Sequence, residues 1–201
     1  MERADALLLN LGATGAEQRT AMLAGAEAAN ALAKPVVVDP VGVGTSPLRR
    51  DTLAELLTTR QISCIRGNIS EIKALAGLST DAGGVDASEA DLADPAAFAL
   101  AVRMARELAA AHNTVIAISG PRDIISDGHT TYVVNGGNAM MTRVTGSGCT
   151  LTGIVAAFAA AAPKDILRAA TAANRADVSG WRPGAGKNRS PRHRQLPHGD
   201  V

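Results

Sequence analysis

The segment Val144-Thr145-Gly146-Ser147-Gly148-Cys149-Thr150 sets two glycines directly ahead of a long run of small apolar residues, Leu151 to Ala162. A glycine turn that opens a helix leaves backbone N–H groups unpaired at the positive end of the helix dipole, and that cluster attracts phosphate oxygens. The chemistry this offers is anion binding beside a thiol. Cys149, at the start of the helix, is placed where the dipole should lower its pKa and let it accept a proton; the plainer alternative is a small, inert thiol. No Gly-Lys-Ser/Thr follows, which excludes the Walker loop, and Gly153 falls too late for the dinucleotide fingerprint. A tight turn into a buried helix uses the same residues, so the loop needs company to carry a function.

Two further patches supply it. Val38-Asp39-Pro40-Val41-Gly42 puts a carboxylate after a β-branched run, at the carboxyl end of a strand where open α/β sheets bind ligands. Asp39 there suits magnesium, directly or through water. As the first residue of an Asp-Pro-x-Gly turn it also has a purely local use. In Ile65-Arg66-Gly67-Asn68-Ile69-Ser70-Glu71 the Asn-x-x-Glu spacing is that of a helix N-terminal capping box. Arg66, just ahead of it, offers a fixed charge and forked donors that match a phosphate.

These residues need a scaffold of alternating strands and helices. Ala6 to Asn10 and Pro35 to Asp39 are short apolar runs that read as buried strands. Glu17 to Lys34 between them repeats its apolar positions at helical spacing. Strand, helix, strand makes a parallel crossover. The alternation continues with a helix over Asp51 to Thr58, a strand over Ile62 to Ile65, a helix over Ser70 to Leu78, a longer helix over Pro95 to His112 and a strand over Thr114 to Ile118. Asp127-Gly128, flanked by 123–126 and 130–134, signals an antiparallel hairpin. Helices at Leu151 to Ala162 and from Lys164 to about Arg175 complete an α/β fold. The expected architecture is a mostly parallel central sheet with helices on both faces and a hairpin near residues 122–134.

The 201 residues are 46% hydrophobic but only 2% aromatic, so the core must be filled by small aliphatic side chains in one domain, residues 1–176. From Asp177 the sequence turns to Gly, Pro, Arg, His and Ser, and residues 177–201 lack the apolar content to order themselves. A net charge of +1 gives no field that would gather nucleic acid or an anionic membrane, and the partner expected is a small molecule. Cys64 and Cys149 form no disulfide or metal pattern, and the run Ala6 to Leu9 is too short for a leader or a span; a cytoplasmic protein is expected. Cys64 reads as a core residue, and His112, His129, His193 and His198 share no ligand spacing.

In chain order, Asp39-Pro40-Val41-Gly42, Arg66-Gly67-Asn68 with Glu71, Gly84-Val85-Asp86, Ile118-Ser119-Gly120 with Asp123, Ser126-Asp127-Gly128 and Val144 to Cys149 together resemble the hydroxyethylthiazole kinase family, over residues 5 to 175. The resemblance implies a ribokinase-like fold and phosphorylation by ATP of the primary alcohol of 4-methyl-5-(2-hydroxyethyl)thiazole, in thiamine biosynthesis or salvage. It implies Cys149 as the catalytic residue, in place of the aspartate of other ribokinase-like enzymes. By the same resemblance Arg66, Ser119, Gly146 and Gly148 bind ATP, Gly146 touches the substrate, and Asp39 and Glu71 serve Mg2+. Ser119 stands where the family usually has threonine and keeps the hydroxyl. Relatives begin about fifty residues earlier, with a strand and helix that shape the thiazole pocket, and end in a further helix where this chain has its tail. They form trimers with the thiazole site between subunits, so a homotrimer is expected of a complete chain. The alternatives are another ribokinase-like small-alcohol kinase, or a nucleotide-binding relic without turnover. A dinucleotide-dependent oxidoreductase lacks its fingerprint.

Overall fold

A computed structural model describes residues 1–78, 94–135 and 144–180, the last four in backbone only. The chain opens with β1 (Leu7–Asn10), α1 (Ala16–Ala31), β2 (Val36–Asp39), α2 (Pro47–Thr59), β3 (Cys64–Asn68) and α3 (Ile69–Leu75). It continues with α4 (Pro95–His112), β4 (Val115–Ser119), β5 (Arg122–Ser126), β6 (Thr131–Asn135), α5 (Ser147–Ala161) and α6 (Ile166–Gly180). The six strands form one sheet in sequence order. Strands β1 to β4 are parallel neighbours, and β5 and β6 return antiparallel. This is the expected mixed sheet, with one addition: β4 and β5 are themselves an antiparallel pair, so the reversal begins before the Asp127-Gly128 turn.

Because side chains alternate across a strand, each strand contributes to two cores. On one face Leu9, Val36, Val38, Ile65, Ile116, Ile118 and Ile124 pack with α1 to α4, where Leu53, Leu56 and Ile72 are the large buried residues. On the other, Val37, Cys64, Val115, Ala117 and Ile125 meet α5 and α6 through Leu151, Val155, Ala156, Ala159, Ala170 and Ala173. Alanine dominates the helix side of this second layer, and small side chains let α5 lie close to the sheet.

Several boundaries differ from those expected. Helix α2 starts at Pro47, capped by Ser46, whose hydroxyl accepts from the Arg49 N–H. Proline at the first helical position suits this start, since its missing N–H would have had no partner. Strand β3 runs three residues past Ile65, to Asn68, because its parallel pairing with β4 continues through Asn68 and Ser119. Arg66 is therefore a strand residue rather than part of a turn. Helix α6 continues to Gly180, four residues beyond the expected domain end at 176. Residues 181–201 lie outside the described residues, as does Gly84-Val85-Asp86.

Candidate active site

Strand alternation carries Leu8, Val37, Cys64 and Ala117 to the face covered by α5 and α6. Two residues further on, the same parity puts Asn10, Asp39 and Ser119 on that face at the carboxyl ends of β1, β2 and β4, with Arg66 in the middle of β3. The first turn of α5 sits over them. Four strands thus supply one polar side chain each to the floor, and α5 supplies the roof.

Asp39 is 1% exposed, and its Oδ2 accepts two bonds: from Thr152 Oγ1 of α5 at 2.9 Å and from Asn10 Nδ2 at 3.3 Å. The same Asn10 nitrogen donates to Cys149 Sγ at 3.1 Å. Thr152 lies three residues after Cys149, on the next turn of α5, so thiol and hydroxyl descend onto the same carboxylate.

Arg66 is 7% exposed. Its Nη2 donates to Ser119 Oγ at 2.6 Å, its Nε has no partner, and it forms no ion pair among the described residues. Its Nη1 lies 2.9 Å from where a Cβ on Gly148 would stand, so the helix start packs onto the guanidinium only because residue 148 has no side chain. Gly146, the α5 N-cap, holds a φ of 84°, favourable to glycine, and has no side chain to cap the helix. The Ser147 N–H is taken by Val144 O at 3.2 Å. A buried cation thus meets the positive end of a 15-residue helix with no carboxylate paired to it. Two like-signed sources in one partly desolvated place call for an anion between them.

Glu71 forms the capping box read from the sequence: Asn68 N–H donates to Oε2 and Glu71 N–H to Asn68 Oδ1, each at 2.9 Å. The structure adds that Oε1 accepts from the Gly42 N–H at 3.3 Å, tying α3 to the Asp-Pro-Val-Gly turn. Burial raises the Glu71 pKa; the Asn68 N–H opposes this, and the charge of Asp39 adds to it.

One expectation fails. The Cys149 thiol is raised, not lowered, from its ordinary pKa: desolvation of the sulfur is the largest influence, the Asn10 N–H opposes it, and the Asp39 carboxylate adds to it. A helix dipole is a partial charge, and a full carboxylate alongside together with partial burial outweighs it. Cys64 behaves as the core residue expected, buried and pushed up to about 12.

The structure therefore gathers Cys149, Asp39, Arg66, Ser119 and Gly148, with Glu71 joined through Gly42, while Gly146 lies at the exposed rim. Asp123 and Asp127 serve local turns: Asp123 accepts from the Gly120 N–H at 3.0 Å, and Asp127 from the N–H groups of His129 and Thr130 at 2.9 and 2.7 Å. Asn10 and Thr152 were not singled out by sequence reasoning. Asn10 ends a strand as Asp39 does, directly opposite it in register, and that shared position was the available signal.

Comparison with known proteins fits this geometry. The model of the hydroxyethylthiazole kinase family matches residues 1–192. The chain belongs to the hydroxyethylthiazole kinase family. It is 44% identical to the hydroxyethylthiazole kinase of Methanobrevibacter smithii over 158 residues, which are 76% of this chain and 55% of that protein. To the Serratia proteamaculans hydroxyethylthiazole kinase it is 44% identical over 77% of this chain and 56% of the relative. The chain thus spans somewhat more than half the length of these curated relatives. A solved hydroxyethylthiazole kinase from Pyrococcus horikoshii OT3 superposes with a TM-score of 0.72 at 32% identity, over 86% of this chain and 60% of that one. A Bacillus subtilis pyridoxal kinase in an ADP complex has a TM-score of 0.57 at 22% identity, over 84% of this chain and 61% of that one, a likeness of fold alone. The fold is ribokinase-like. No helix among the described residues is long and apolar enough to cross a membrane.

Proposed function

We propose that the chain transfers the γ-phosphoryl group of ATP to the primary alcohol of 4-methyl-5-(2-hydroxyethyl)thiazole, in the cytoplasm and as part of a homotrimer. The observation that carries this reading is Arg66, buried with no carboxylate in ion-pair contact among the described residues, against the glycine start of α5. In this arrangement Arg66 and the first-turn amides of α5 receive phosphate oxygens, and Ser119 fixes the guanidinium by accepting from Nη2. The alcohol oxygen attacks the γ-phosphorus in line, the bond from phosphorus to the bridging oxygen of ADP breaks, and the alcohol proton leaves toward the Asp39 carboxylate, beside which Cys149 orients the hydroxyl. A thiol whose pKa is raised keeps its proton, so Cys149 acts here as an orienting group beside the alcohol; in-line displacement depends chiefly on positioning and charge stabilisation.

The acidic residues fit magnesium. Asp39 and Glu71 are the residues that would hold the ion, whose preference for oxygen donors their carboxylates match. Asp39 and Glu71 form the acidic wall beside it. When bound, it neutralises charge on the phosphates.

The test is ADP release by the purified chain with magnesium and ATP, with and without hydroxyethylthiazole, alongside Cys149→Ala. Thiazole-dependent turnover that falls in the variant supports the assignment. ATP binding with no turnover on any small alcohol overturns it in favour of a nucleotide-binding role, and turnover on other alcohols alone reassigns the substrate.

A further inference from the structure

We infer that Asn10 is a positioning residue of this site, holding the Cys149 sulfur and the Asp39 carboxylate on one amide nitrogen. The role in catalysis rests on the kinase reading; the contact itself does not. The orientation of the amide is decided locally. Asn10 Oδ1 accepts the Gly12 N–H at 2.8 Å in the turn that ends β1, and a Cβ on Gly12 would stand 2.8 Å from that same oxygen. A backbone N–H can only donate, so Oδ1 must face Gly12 and Nδ2 must face the site. The nitrogen has two hydrogens and two acceptors before it, Cys149 Sγ at 3.1 Å and Asp39 Oδ2 at 3.3 Å.

The second bond to Asp39 comes from α5 itself, through Thr152. Asn10, Asp39, Thr152 and the α5 turn back to Cys149 therefore close a ring that locks β1, β2 and α5 together at the reacting end. Within this ring Asn10 is the member that donates to both the sulfur and the carboxylate and so holds the two side by side. Remove the donor and the carboxylate and sulfur lose the amide that both share, and Cys149 loses a contact that fixes its side-chain angle.

The decisive variant is Asn10→Asp. It has nearly the same shape, keeps an oxygen for the Gly12 N–H, and replaces the donor toward Cys149 and Asp39 with an acceptor. Two readouts are taken on the full chain. In thiazole-dependent turnover kcat falls by about a hundredfold while KM for ATP changes by less than about threefold, the signature of lost alignment rather than lost binding. In the absence of ATP and magnesium, iodoacetamide at about pH 8 labels Cys149 at least roughly fivefold more slowly than in the unsubstituted protein, because the sulfur has lost its donor. Buried Cys64 is the silent internal control. Alkylation at the unsubstituted rate overturns the proposal whatever kcat does, and unchanged kcat overturns the catalytic role. If the unsubstituted chain shows no turnover, the kinase reading fails alone and the alkylation comparison still decides the contact. Should Asn10→Asp not melt cooperatively, Asn10→Ser, which keeps a small hydroxyl near Gly12 without reaching Asp39 or the sulfur, carries the same comparison.

Discussion

The two faces of the sheet are built from different stock. Against α1 to α4 the sheet presents isoleucine and valine to leucine, isoleucine and methionine interspersed with alanine. Against α5 and α6 it presents valine, cysteine and alanine to rows of alanine. The first layer is thick, and the buried side chains of α1 to α4 are apolar except Thr52, whose hydroxyl donates to the Leu48 carbonyl of its own helix. The second is thin, and at its carboxyl end it gives way to Asp39, Arg66 and Thr152, all buried. Stability and chemistry are thus largely separated: the thick face holds the fold, and the thin face lowers a helix terminus onto polar side chains of four strands.

That separation can be tested from both sides. The largest effect is expected at Arg66→Met, which should cut turnover by about two to three orders of magnitude while leaving the melting temperature unchanged or raised, since a buried unpaired charge is replaced by a side chain of similar size. A large loss of stability with retained turnover would break the comparison. Next is Leu56→Ala on the thick face, expected to cost roughly 2–5 kcal/mol in urea unfolding and to leave KM for ATP unchanged in the folded fraction. Ala159→Leu sharpens the contrast: overpacking the thin layer should cost about 1–3 kcal/mol, and by lifting α5 it should also lower kcat, as Leu56→Ala does not. The smallest effect belongs to Asp127, on neither face. Partial burial opposes ionisation there, but the N–H groups of Thr130 and His129 prevail and its pKa is lowered. Its contribution to stability is present above the usual aspartate pKa and is lost as pH falls through the lowered one. Asp127→Asn should flatten that part of the acid unfolding profile and leave the neutral region nearly unaltered.

What the sequence disclosed and what it hid divide along the same physical line. Strand and helix alternation was visible because it depends on local period, and the hairpin was visible because Asp127-Gly128 suits a turn that strands on either side can close. Asp39, Arg66 and the glycine loop were legible as residue types in chain order. Asn10 was not, because its value lies in parallel register with Asp39 and in the descent of α5 from more than a hundred residues away. Arg66 was placed past the end of its strand, since apolar patterning stops at Ile65 while the backbone pairing goes on to Asn68. The Cys149 thiol was read from the helix dipole alone, and the Asp39 carboxylate beside it belongs to tertiary structure.

The helix that roofs the site is also among the last elements to be made. Strands β1 to β4 follow one another through local crossovers and can pair as the chain is synthesised, each adding one polar side chain to an open ledge. Until Ser147 to Ala161 have left the ribosome, that ledge holds an arginine and an aspartate with nothing above them. Ability to grip a phosphate therefore arrives abruptly and late in synthesis, and a nascent chain arrested after β6 would carry all six described strands and none of the chemistry.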